Sequence, residues 1–158
     1  MPTFNLSYYR QLKQSVAKKE SLITTDKNLF TDPTFLKLLT FEASIENQVF
    51  YNHKNNYFAL IRKYLNETIS PYVFRAQFID MVNEDLKKSQ EILDSFEKLS
   101  TFWIDLELDE FSSLFENIHE TCLCAFEFEG QEDAMPETKF RDSIQNFFFK
   151  IQKYLDEG

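Results

Sequence analysis

The chain has 158 residues, 43% of them hydrophobic, and carries 17 basic against 26 acidic side chains for a formal charge of −9. That is enough apolar material for one folded domain, so a disordered chain is excluded by composition. With only two Gly and four Pro there are too few punctuators for a sandwich of short strands, and the composition predicts an all-α protein.

In chain order, Leu6 to about Leu22 reads as a first helix. Asp32-Pro33 supplies a cap followed by Pro at the first helical position, so a second helix is expected to about Phe50, with Leu36, Leu39 and Ala43 on one side. The polar segment from Tyr51 to Asn56 reads as a loop. Residues 1–56 are thus expected to be an N-terminal helical or extended arm, separate from residues 57–158. Phe58, Ile61 and Leu65 then recur at helical spacing. Ser70-Pro71 restarts a helix whose stripe is Phe74, Phe78, Met81 and Val82, and a break is expected near Lys87–Ser89 before a piece carrying Ile92, Leu93, Phe96 and Leu99. Leu108, Phe111, Leu114, Phe115, Ile118 and Cys122 make the next stripe. Gly130 to Met135 reads as a loop, and Pro136 opens a last helix lined by Phe140, Ile144, Phe147, Phe148, Ile151 and Leu155. Four to five one-sided helices predict an antiparallel bundle.

Catalytic and metal sites find little support in the residues. Glu116-x-x-His119 has the spacing of di-iron bundles, but such centres use two pairs, and the residue three before the only other histidine, His53, is Phe50. His119, Cys122 and Cys124 lie on one helix, with the two thiols diverging, which is a poor zinc cage. The only glycines are Gly130 and Gly158, so nucleophile elbows and phosphate-binding loops are missing. A Cys122–His119 dyad would lack an orienting third group and an obvious oxyanion hole. The expectation is a non-enzyme with no cofactor and no metal.

Charge is the informative pattern. Between Lys98 and Lys139 there is no Lys or Arg. Eleven acids fall there: Asp105, Glu107, Asp109, Glu110, Glu116, Glu120, Glu127, Glu129, Glu132, Asp133 and Glu137. They exceed the net charge of the whole chain, so the remainder is slightly basic. Helices ordinarily mix signs because opposite charges at i, i+4 support each other. A one-signed surface attracts a basic partner and repels nucleic acid. The ten acids from Asp105 to Asp133 are the predicted partner-binding site, with a solvated face that only aids solubility as the alternative, and Asp105, Asp109, Glu116 and Glu120 are the positions for charge reversal that would separate the two. The basic first 27 residues could dock on these acids or reach a second partner.

The run Tyr64-Leu65-Asn66-Glu67-Thr68-Ile69-Ser70-Pro71-Tyr72-Val73-Phe74 with Phe78, then Ile92-Leu93-Asp94-Ser95-Phe96 and the closing helix Phe140 to Leu155, resembles the colicin D immunity family of small bacterial self-protection proteins over roughly residues 57–155. The resemblance implies a helical bundle whose acidic side chains fill the basic tRNA-binding cleft of a ribonuclease toxin, in place of phosphates. It carries over no individual residue. An inhibitor of this kind is expected to be a stable monomer whose gene neighbours a toxin gene. The rival expectation is an accessory or assembly subunit of a larger complex, anchored by the aromatic N-terminal segment. The abundance of Phe, Ile, Asn, Lys and Tyr suits an AT-rich genome, which admits a plastid stroma as the setting of that rival. Otherwise a reducing cytoplasm is expected, with no targeting segment and no membrane span.

Overall fold

The computed structural model describes residues 6–22, 32–104, 108–124 and 136–155. Among them lie seven α-helices: α1 Leu6–Leu22, α2 Pro33–Asn52, α3 Lys54–Leu65, α4 Pro71–Asp94, α5 Phe96–Thr101, α6 Asp109–Cys124 and α7 Glu137–Ile151, the last followed by a 3-10 turn, Gln152–Leu155. The protein is all-α, and the only β-type feature among the described residues is an isolated bridge residue, Trp103. No helix among them is long and apolar enough to cross a membrane. The loop expected at Gly130 to Met135 lies outside the described residues.

Local signals set several helix starts. The Asp32 carboxylate accepts the backbone N–H groups of Thr34 (2.9 Å) and Phe35 (3.2 Å), so α2 begins on the expected cap with Pro33 in its first turn. Ser70 accepts from the Val73 N–H in the same way ahead of α4, at 3.2 Å, and Ser95 accepts from Lys98 ahead of α5.

Two expectations are corrected. The loop at 51–56 is helical apart from a one-residue turn at His53, because α2 runs on to Asn52 and α3 starts at Lys54. The polar residues there have partners inside the fold: the Lys54 side chain is buried, with its ammonium 4.0 Å from the centroid of the Tyr51 ring. The break near Lys87–Ser89 does not occur; α4 is continuous for 24 residues, and Ser89 is buried within it. On α2, Leu36 and Leu39 are 46% and 42% exposed, while Leu38 and Ile45 form the buried face.

The chain divides into two compact units, Met1–Gln48 with Lys88–Leu106, and Val49–Lys87 with Glu107–Gly158. This division is discontinuous in sequence, whereas the sequence reading makes a single cut after residue 56. In the first unit Tyr9, Leu12 and Val16 of α1 are buried with Leu38, Ile45, Leu93, Leu99 and Ile104. The apolar face of α1 is therefore spent inside its own unit. The second unit has an aromatic core drawn from the end of α2, from α3, α4, α6 and α7 and from the closing 3-10 turn, in which Tyr57, Phe74, Phe78, Phe111 and Phe140 are all at most 1% exposed. Phe115 is its hub, with ring centroids 4.5 Å from Phe50, 4.8 Å from Tyr57, 5.6 Å from Phe78 and 5.9 Å from Phe111.

The link from α3 to α4 closes without glycine. The Glu67 N–H donates to the Tyr64 carbonyl and the Thr68 N–H to that of Lys63, the pairing of a Schellman motif. Glu67 takes the left-handed conformation there, with φ 61°, which costs a side-chain-bearing residue roughly 1–2 kcal/mol. Arg141 of α7 supports this turn by donating to the Leu65 carbonyl at 2.6 Å.

Candidate functional site

The acidic site is built on α6. Phe111, Phe115, Ile118 and Cys122 are its buried residues, spaced by four, three and four so that they share one face. Asp109, Ser113, Glu116 and Glu120 repeat that spacing two residues earlier, and all four are exposed. A two-residue offset is about 200° around a helix, so the carboxylates point directly away from the core. No Lys or Arg lies on α6. Burial of the aromatic stripe thus fixes the direction in which the acids project.

Of the ten acids predicted to bind a partner, Asp109, Glu110, Glu116 and Glu120 are described and all lie on α6, in the second unit. Asp105, Glu107, Glu127, Glu129, Glu132 and Asp133 fall outside the described residues. Glu110 departs from the other three. Lys153 Nζ lies 2.7 Å from both of its carboxylate oxygens, and the Tyr154 hydroxyl donates to it at 3.2 Å. Donation from Lys153 holds the Glu110 carboxyl below the usual carboxylate range. The acidic surface is therefore partly balanced by a cation from the far end of the chain.

The remaining sequence candidates sit close to the core. His119 is half-buried, its ring 6.5 Å from that of Phe78. Burial lowers its pKa against the opposing pull of Glu120 and Glu116, so it is neutral at pH 7. Cys122 is buried and Cys124 exposed, in keeping with diverging side chains. Burial pushes the Cys122 thiol up to about 12, against the pull of Arg75. A thiol held protonated is a poor nucleophile at neutral pH. No group of three or more His, Cys, Asp or Glu among the described residues is arranged to hold a metal ion.

Sequence reasoning missed a polar cluster in the second unit. Asp85 is 5% exposed. One of its oxygens lies 2.8 Å from His53 Nδ1 and the other accepts from the Tyr57 hydroxyl at 2.6 Å. A carboxylate can only accept, so Nδ1 carries the proton. The cluster clamps the start of α3 to α4. Its signal is present in the sequence: Phe74, Phe78, Val82, Asp85 and Ser89 continue one helical stripe, and an acid on a buried stripe calls for internal donors.

Several groups here hold protons more tightly than they do in water. Burial, then donation to Asp85 and its negative charge, raises the Tyr57 hydroxyl well above its ordinary value. Burial, with Glu137 next and Arg141 opposing, brings Tyr64 up to about 12. Each group, with Cys122, stays protonated in the folded chain at pH values where the unfolded chain releases its proton. Their stabilisation is complete below the unfolded values of 9.0 for Cys and 10.0 for Tyr and is lost as pH rises through the folded ones. The urea midpoint should therefore hold steady from neutral pH to about 8.5 and fall between about 9 and 12. A flat or rising midpoint over that upper range would contradict this burial.

Comparison with protein-family models, curated proteins and solved structures finds no match.

Proposed function

We propose that the chain is a non-catalytic binding protein that captures a basic protein partner on the outward face of α6. In its specific form it is an immunity-type inhibitor, a cytoplasmic antiparallel bundle seated in the basic cleft of a nuclease toxin. The observation that carries this reading is the row of Asp109, Glu116 and Glu120, exposed opposite the buried stripe on a helix without a basic residue. Glu116 and Glu120, at i and i+4, repel each other by a few tenths of a kcal/mol. A basic cleft relieves that repulsion on binding. Glu110, already paired with Lys153, contributes less to such a surface than the other three.

The test replaces Asp109, Glu116 and Glu120 together by Lys. All three are exposed, so the far-UV spectrum should be unchanged. Titrated against a basic nuclease domain that the parent protein binds, the variant should lose affinity by on the order of 1–3 kcal/mol per reversed contact. Parent affinity should also fall with salt, since attraction between surface charges is screened over about 8–10 Å near physiological ionic strength. Equal affinities for parent and variant, with no salt dependence, would discard this function.

A further inference from the structure

A second recognition surface lies in the same unit and has the opposite character. Arg62, Leu65 and Asn66, in and just after the last turn of α3, face Gln145, Phe148, Phe149 and Gln152 across a groove of about 270 Å³. We propose that this groove docks a segment of a partner protein that presents a carboxylate beside an aromatic or large aliphatic side chain.

Three observations carry the proposal, and none depends on the acidic face of α6. Phe149 is 78% exposed. It stands one residue past Phe148 and so lies outside the buried stripe of Phe140, Ile144, Phe148 and Ile151. Phe149 is the most exposed large hydrophobic side chain among the described residues, and with Leu65 and Phe148 it gives the groove a contiguous apolar wall. The second observation is Arg62, whose guanidinium carbon lies 5.9 Å from the Phe148 ring centroid. Among the described residues it meets no carboxylate. The ring fixes the guanidinium while leaving its donors for an incoming anion. Lys63 beside it makes this end of α3 basic on a chain whose net charge is −9. Size is the third. The groove is smaller than the ~300–1,000 Å³ of drug-sized ligand sites, so it suits one or two protein side chains. An arginine and two aromatic rings line the groove together with amides, and Arg and aromatic residues are the types enriched at interface hot spots.

The test is a nuclear magnetic resonance titration of the full chain with two blocked peptides, acetyl-Glu-Phe-Leu-Glu-amide and acetyl-Lys-Phe-Leu-Lys-amide. The acidic peptide should give saturable shifts centred on Arg62, Gln145, Phe149 and Gln152 with Kd near ~1 mM, and the basic peptide should bind at least about tenfold more weakly. Phe149→Ala and Arg62→Gln should each weaken the acidic peptide by about fivefold or more, and both positions are exposed, so their spectra should otherwise match the parent. Equal binding of the two peptides, shifts centred elsewhere, or no saturation by about 10 mM would overturn the proposal. So would shifts at these same residues on raising protein concentration alone, because the occupant would then be a second copy of the chain.

Discussion

Replacing Phe115 by alanine is expected to lower the stability of the second unit by about 3–5 kcal/mol. The ring is 4% exposed and has four aromatic neighbours, stacked on Phe50 and Phe111, edge-on to Tyr57 and tilted to Phe78. Removing it forfeits the transfer free energy of a buried benzyl group. It also opens a cavity that rigid neighbouring rings cannot collapse to fill. Aromatic pairs add about 0.5–1.5 kcal/mol each beyond area burial, which places the expected loss toward the upper end. Urea unfolding followed by near-UV circular dichroism reads the loss of packing around these rings, with the single Trp103 of the first unit contributing to the same signal. Phe149→Ala is the matched control. At 78% exposure it should change stability by less than about 0.5 kcal/mol. A Phe115→Ala loss below about 1 kcal/mol would show that the rings do not form one close-packed core.

Asp85→Ala should cost about 2–4 kcal/mol, of which a large share comes from what it leaves behind. The Tyr57 hydroxyl, on a residue 1% exposed, loses the acceptor at 2.6 Å, and His53 Nδ1 loses its own at 2.8 Å. A buried donor stripped of its partner bears the full desolvation penalty, whereas removing donor and acceptor together largely avoids it. Tyr57→Phe should therefore cost less in the Asp85→Ala background than in the parent, by about 1 kcal/mol or more in a double-mutant cycle. Additive losses would mean that the two side chains are not energetically coupled. Asp85→Asn, which keeps one acceptor oxygen, should fall between parent and alanine.

What was legible in the sequence was local. Asp32-Pro33 and Ser70-Pro71 start helices because a side-chain oxygen and a preset φ act within one turn. The stripes of α6 and α7 were legible because four apolar residues at helical spacing leave one face to bury. What escaped was non-local. His53 and Tyr57 find their partner 32 and 28 residues away, so a segment that is polar when read alone is helical and clamped in the fold. Glu110 meets a lysine 43 residues later, and no count of charges within residues 99–138 could include it. The exposure of Leu36 and Leu39 in place of Leu38 and Ile45 reflects a helix with apolar residues on more than one side, whose buried face only its neighbours determine.

The α3–α4 turn also bears on the order of events during synthesis. Its conformation is costly at Glu67, and part of what holds it is the guanidinium of Arg141, which lies 76 residues downstream of the carbonyl it caps and 3.9 Å from the Glu67 carboxylate. A ribosome adding ~5–20 residues per second needs several seconds to cover that distance. From the addition of Asp94 onward the nascent chain holds the residues of both helices but lacks the one that fastens the corner between them. The corner can fray and re-form until α7 emerges, and its completion is tied to the arrival of the last helix. A glycine at position 67 would loosen that dependence, because the turn would then be comfortable on its own.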